Sequence, residues 1–336
     1  MLSRKRAKPV IVFLSLFFLI SLNLVFVNSQ AIEQVSADTT PLLNQAIDIG
    51  NENNTMYIGL YLIQCYGFEY KTGSYTYDFY VRFLWTDPNI KTADWYLMNG
   101  YPAYPGAKLL IDENKTGTVK WELYRVRANL NVPIEPTDYP FDSISLPISI
   151  ELLSHNYNIS LVWFKPATGI DSEFRIVGWS SPVYTLNTSF SHYPLRVEPR
   201  ADMDIWLERN FYGSFLKSVF PLLIFCFVSG VGFLFKMKED SAFALRIGIG
   251  TSMLISTVLF NISEQNDIPP VTRFTFYNAI IAAVVAFLAL FLIVTILGYV
   301  EWKRSNDEKK VERINRIGFI VTLAVPILIL TLLLLV

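Results

Sequence analysis

The stretch Ala242–Ile262, AFALRIGIGTSMLISTVLFNI, decides how this chain is built. It is long and apolar enough to span a bilayer. Yet Arg246, Thr251, Ser252, Ser256, Thr257 and Asn261 interrupt it. At about 100° per residue, Gly248, Ser252, Ile255, Leu259 and Ile262 share one helix face, within an arc of roughly 80°. Along that face a small residue and a hydroxyl give way to three bulky aliphatics. Rings of such residues around an axis would make a narrow polar site and an apolar constriction that closes by dewetting. The alternative is a packed helix whose hydroxyls bond their own backbone carbonyls. Arg246 is an ionisable group within the span and therefore a candidate functional residue, with snorkelling to the nearer end as the other reading.

Three more apolar runs, Phe215–Phe235, Phe274–Val300 and Ile317–Val336, give four spans with the run over 242–263. Lys236 and Lys238 lie between spans one and two. Lys303, Arg304, Lys309, Lys310, Arg313 and Arg316 lie between three and four, whereas Glu264 and Asp267 lead the connection between two and three. The positive-inside rule puts the basic connections in the cytoplasm and both the N-terminal domain and the C-terminus outside. The start agrees. Lys5-Arg6-Ala7-Lys8 precedes the apolar Pro9–Val27, and Ser29-Gln30-Ala31 offers a cleavage site, so residues 1–31 read as a signal peptide. An uncleaved anchor would export the same domain. Sequons at Asn53, Asn114, Asn158 and Asn187 fit that compartment.

Between an N-terminal extension at 32–55 and the first span, residues 56–210 carry short runs rich in Tyr, Phe, Ile, Leu and Val, broken by Pro, Gly, Asn and Asp. That pattern predicts an all-β sandwich or barrel, taken as an immunoglobulin-like sandwich, followed by a four-helix transmembrane bundle. With a net charge of −1, no basic footprint argues for nucleic acid. The two cysteines, Cys65 and Cys226, lie in different halves and predict no disulfide. His155 and His192 sit in separate segments, and neither a metal cluster, a nucleophile elbow nor a P-loop is present. An enzyme is not expected, nor any cofactor or metal. A membrane-anchored sensor that does not conduct is the main competing class.

At this point the residues resemble a family. Tyr139-Pro140-Phe141-Asp142 is similar to the Phe/Tyr-Pro-Phe-Asp core of the Cys-loop signature of pentameric ligand-gated ion channels. Arg209 with Pro221 resembles their arginine before the first span and the proline within it. Trp85-Thr86-Asp87 resembles their Trp-x-Asp strand motif, and Tyr61–Tyr66 the first strand of bacterial proton-gated members. Phe260-Asn261 with Ile268-Pro269 resembles the end of their pore helix and its loop. Val132 and Leu146 stand where animal receptors carry the loop cysteines, and the connection 301–313 is short, as in prokaryotic members. Trp95-Tyr96-Leu97 lacks the proline of their Trp-x-Pro.

The resemblance implies a homopentamer in the cell membrane, opened by a small extracellular ligand or by protons and passing monovalent ions. Gly248, Ser252, Ile255, Leu259 and Ile262 would line the pore. Arg246-Ile247-Gly248-Ile249-Gly250 resembles the segment of glycine-receptor pore helices, so Arg246 leans toward anions, against Glu264 and Asp267 at the outer mouth. Asp142, Arg209, Glu69 and Pro269 would couple binding to gating. Phe190 and Tyr193 on a capping hairpin, faced by Tyr101 or Tyr104, would hold the ligand.

Overall fold

The computed structural model describes residues 54–153, 159–236, 240–270 and 273–334. The expected signal peptide, most of the extension at 32–55, the sequons at Asn53 and Asn158, His155 and the last residues of the fourth span lie outside these. Contacts divide the described chain into two compact units. The larger comprises 54–224, 256–285 and the stretch from 326 onward; the smaller comprises 225–255 and 286–325.

In the larger unit two sheets form. Strand β1 (Thr55–Glu69) turns through Gly73 into β2 (Ser74–Trp85), which pairs along its length with β6 (Lys120–Asn131). Gly73 has φ +67°, and a Cβ there would strike the Val132 carbonyl, so the turn requires glycine. Strands β4 (Gly100–Pro102) and β5 (Lys108–Asn114) pair with β6, while β9 (Ser160–Trp163) and β10 (Gly169–Ile170) run parallel to β1. The five-stranded sheet joins β11 (Val183–Tyr193), β12 (Arg196–Glu208), β8 (Ile148–Leu152) and β3 (Trp95–Leu97), with β7 (Ser143–Ser145) on β12.

Period-two burial makes the core. Tyr75, Tyr77, Phe79, Val81 and Phe83 of β2 share one apolar cluster with Ala201, Met203, Ile205 and Leu207 of β12. Of the residues between them on β2, Thr76, Tyr80 and Arg82 stay partly exposed, and Asp78 is buried with Arg125 and Arg127 as partners. Trp85 is fully buried and donates its Nε1–H to the Ile90 carbonyl at 2.8 Å. Asp87 of the Trp-Thr-Asp stretch accepts the Asn54 and Asn89 amides at 2.9 and 2.8 Å, and those bonds hold its carboxyl below its ordinary range.

Four helices follow: α1 (Phe211–Gly232, with a π turn at Phe215–Val219), α2 (Asp240–Gln265), α3 (Phe276–Ser305) and α4 (Glu308–Leu334). The first three are long and apolar enough to cross a membrane. Their ends are capped as their residues dictate. The Asn210 side chain accepts the Gly213 amide, and Thr275 Oγ1 the Asn278 amide. Asn306, at φ +49°, ends α3, and Asp307 then accepts the Lys309 amide to start α4. Within the smaller unit, Phe233, Phe291 and Val294 form a core, and a Cβ on Gly250 or Gly318 would collide with Leu292 or Val294. Small residues there let helix backbones approach closely.

Candidate pore face and coupling site

Helix α2 has two faces. In the smaller unit, Gly248, Ser252 and Ile255 are exposed, and Ile255 is 60% accessible. In the larger unit, Leu259 and Ile262 continue the pattern at 63% and 53%. All five residues of the predicted stripe are therefore open, with Leu245 and Val258 beside them. Gly250, Thr257 and Glu264 are buried instead, at spacings of seven, as a helix requires. An apolar stripe left unpacked on a helix with a buried polar face is the reverse of a soluble amphipathic helix. Thr251, beside the stripe, bonds back to the Ile247 and Gly248 carbonyls at 2.8 and 3.2 Å, the packed-hydroxyl alternative at that one position.

Two of the expected selectivity residues, Arg246 and Glu264, are buried. Arg246 lies two residues before Gly248, about 200° around the helix, and its side chain is fully buried. Its Nη2 donates to the Phe233 carbonyl at 2.9 Å and to Asn315 Oδ1 at 3.0 Å, with the guanidinium 5.5 Å from the Phe233 ring. Its Nε and Nη1 are buried without a partner. Arg246 is thus packed against Phe233 and Asn315 within its own chain. Glu264 is also buried, because α2 runs on to Gln265 and carries it onto the packed face. Asp267, by contrast, is exposed and pairs with Lys217 at 2.8 Å.

The expected charge pair forms, and it is more elaborate than a pair. Arg209 Nε donates to Asp142 Oδ1 at 2.6 Å and Nη2 to Oδ2 at 3.3 Å, a bidentate fork. The Arg209 amide also donates to the Asp142 carbonyl at 3.0 Å. Around the guanidinium stand Tyr70 at 4.2 Å, Trp179 at 4.4 Å and Tyr139 at 5.1 Å from ring centroids. Tyr70 donates its hydroxyl to Asp142 at 2.6 Å. Burial works against the Arg209 charge, but the hydrogen bonds and charge of Asp142 outweigh it, and its pKa lies above the ordinary value. Desolvation first, then Asp142, pushes the Tyr70 phenol upward. Glu69 does not join: it is exposed, and its carboxylate accepts from Thr72 in its own hairpin at 2.9 Å. Tyr70, the next residue, takes that place. Pro269 is buried in the segment that follows α2.

The same loop reaches the helices through its aromatic residues. Phe141 stacks on Phe211 at 4.9 Å and lies 6.1 Å from Phe276. Tyr139, cis to Pro140, donates its hydroxyl to Glu264 Oε2 at 2.6 Å, and Ser218 of α1 donates to the same oxygen at 2.9 Å. Tyr277 of α3 meets Tyr139 edge to face at 5.6 Å.

The hairpin aromatics separate. Phe190 on β11 is 50% exposed, and Tyr101 and Tyr104 are open on the other sheet's side of the sandwich. Tyr193, at the end of β11, is half-buried and donates to Glu151 Oε2 at 3.0 Å, as does Tyr96 at 3.3 Å. Glu151 is fully buried and its Oε1 has no partner. Desolvation, then Glu151, pushes the Tyr96 phenol up to about 12. Arg196 stands 5.2 Å from the Tyr193 ring. Glu151, Tyr96, Tyr70, Trp179 and Ser218 went unread in the sequence. Glu151 alternates with the core residues Ile150 and Leu152, so the pattern put it on the outer face of β8 and gave no sign of its burial.

No protein-family model matches the chain. It is 24% identical over 295 residues, 81% of its length, to a proton-gated ion channel of Gloeobacter violaceus, of which it covers 80%. It is also 30% identical over 143 residues to ligand-gated ion channel 50 of Caenorhabditis elegans, over 40% of this chain and 27% of that one. Both relatives are ion channels, and with the apolar helices they put the chain in a membrane. These similarities, with the β domain and apolar helices in this order, support a place for the chain in the pentameric ligand-gated ion channel superfamily that its motifs resemble.

Proposed function

We propose that five copies of this chain surround an ion pathway lined by Gly248, Ser252, Ile255, Leu259 and Ile262, opened by a ligand bound outside the membrane. The observation that carries this reading is the two-faced α2, whose only unpacked stripe is the one with a hydroxyl below three aliphatic positions. A closed ring buries that stripe on a water-filled axis and leaves no orphan polar face in lipid. In this reading α4 is the fourth span, the signal peptide is removed, and the sandwich and C-terminus are outside.

Ligand recognition falls at the β11–β12 hairpin. Glu151 offers a buried oxygen with no partner, and the Tyr96 and Tyr193 hydroxyls donate to its other oxygen. A buried carboxylate beside aromatic residues suits a small ammonium ligand. For the permeant ion, withdrawal of Arg246 removes the basis for an anion preference. Among the described residues, the exposed carboxylates at the two ends of α2 are Asp240 and Asp267, each paired with a lysine, and in this reading they favour monovalent cations.

Bilayer recordings test this. Ile255→Thr should raise resting current or agonist sensitivity by about tenfold, because a hydroxyl ring wets the constriction. Reversal potentials under sodium and chloride replacement should follow sodium. An Ile255→Thr channel that behaves as the parent in both respects puts the constriction elsewhere.

A further inference from the structure

Helix α1 exposes apolar residues at a spacing of four: Tyr212, Leu216, Phe220 and Ile224, at 78%, 59%, 43% and 41%. That spacing keeps them on one side of the helix, within an arc of about 120°. The turn before β11 sits at the head of this helix. The Gly178 carbonyl accepts the Asn210 amide at 2.9 Å and Trp179 bridges to Arg209, so the turn is held against the residues that open α1. The turn closes on itself through the Trp179 amide, which donates to the Ile176 carbonyl at 3.1 Å, with Gly178 at φ +87°. Its side chains divide. Phe174 is buried, Ile176 packs against the sandwich core, and Trp179 stands against Phe68, Tyr70 and the Arg209 guanidinium. Val177 points away and is 98% exposed, and a Cβ on Gly178 beside it would meet nothing within 4 Å. Among the described residues the tip stands clear of its own chain, and the caged Trp179 anchors its base.

Turn tips favour Gly, Asn, Asp and Ser, and a β-branched aliphatic at one gains nothing from water. Single exposed aliphatics are ordinary on a soluble surface. This one lies at the head of a helix whose apolar side continues away from it, with Tyr212 on the first turn and the exposed Arg175 two residues before the tip. Tyrosine and a long basic side chain flanking an aliphatic tip are the residues that favour the level of lipid headgroups. We infer that the turn at 175–179 is a lipid contact of the sandwich: Val177 enters the bilayer interface beside the head of α1, and Arg175 meets lipid phosphates. Such a contact lies on the bilayer and does not cross it. The inference rests on the reading of α1 as a span and goes beyond it, since it gives the β domain its own hold on the membrane.

The test uses the full chain in proteoliposomes of phosphatidylcholine and phosphatidylglycerol. Val177→Cys, Tyr212→Cys and Leu195→Cys each receive a bimane fluorophore; Leu195, on the β11–β12 turn, is as exposed as Val177 at 98%. The parent chain, with Cys226 buried and Cys65 half-buried, is the labelling blank. Two quenchers are compared, a nitroxide on the fifth acyl carbon of phosphatidylcholine and iodide in the water. The label at 177 should be quenched by the lipid nitroxide several-fold more than the label at 195, and by iodide several-fold less. A label at 177 that behaves like the one at 195 overturns the lipid contact. So does a label at 177 shielded from both quenchers, which would mean that another protein surface covers the tip. A nitroxide side chain at 177, read by collision with oxygen against a nickel chelate, repeats the measurement with a smaller probe and must agree. The label at 212 separates the two readings. If it is quenched from lipid while 177 is not, the lipid contact fails and α1 remains a span; if it is quenched only by iodide, the span itself is refuted and the inference falls with it.

Discussion

At the scale of single residues, Arg209 gathers the most. A guanidinium held by a bidentate carboxylate and three aromatic rings combines charge, planarity and stacking, and lysine supplies only the first. Asp142→Ala should cost about 3–5 kcal/mol, because it strands a buried cation. Arg209→Lys should lose a large part of that despite keeping the charge. Thermal unfolding of detergent-purified protein reads both. Exchanging the two residues should rescue little, since a carboxylate would then stand among the faces of Tyr70, Tyr139 and Trp179, which repel it. Full rescue by the exchange would mean that the charge pair alone matters. The pair was legible in the sequence, because an arginine just before an apolar span needs a carboxylate and the Tyr-Pro-Phe-Asp loop offered one. The aromatic cage was not, because Tyr70 comes from the β1–β2 turn and Trp179 from the connection before β11, and no spacing rule joins them. Arg246, expected as a functional charge, is buried, and its position about 200° from Gly248 was countable. An arginine in a span draws attention as a functional charge, and the count puts it among Phe233 and Asn315 instead.

At the scale of elements, α2 was read from period alone and its five-residue stripe is the exposed one. What the period could not reveal was where the helix ends. One further turn carries Glu264 from an expected pore mouth into the packed face. The faces predict opposite tolerances. Gly250→Leu should destabilise the helices and lower the yield of folded protein, because its Cβ already meets Leu292 and Phe291, whereas Gly248→Ala should be accepted, with nothing within 4 Å. Size-exclusion profiles in detergent would separate them. The sandwich shows a comparable dependence on one residue. Asp87 has a folded-state pKa held down by the Asn54 and Asn89 amides. A depressed carboxylate contributes stability that is present above its unfolded value, about 3.9, and is lost as pH falls through the folded value. Asp87→Asn should therefore flatten the acid limb of the sandwich's stability curve and leave a uniformly lower plateau at neutral pH. An unchanged acid limb would show that Asp87 does not carry it. The β strands were legible from their alternation; the parallel pairings of β9 and β10 with β1 were not, being long-range and set by packing.

At the scale of the whole molecule, the proposed pathway needs the exposed aliphatic stripe of α2 to face an axis shared by a ring of subunits. Native mass spectrometry in mild detergent should return a fivefold multiple of the subunit mass; a stable monomer would leave the stripe in lipid with no pathway to line. The most direct test of that pathway is the aqueous accessibility of α2 in a bilayer. Single cysteines replace Gly248, Ser252, Ile255, Leu259 and Ile262 in turn, and Gly250, Thr257 and Glu264 for comparison. The parent supplies a quiet background, since Cys226 is buried and burial pushes the Cys65 thiol up to about 12. A charged, membrane-impermeant thiol reagent is added to proteoliposomes and its adducts are read by intact mass. The stripe cysteines should be modified from water and the comparison set should not. Modification of the comparison set, or protection of the stripe as a lipid-facing surface would give, would contradict a pore lined by this face of α2.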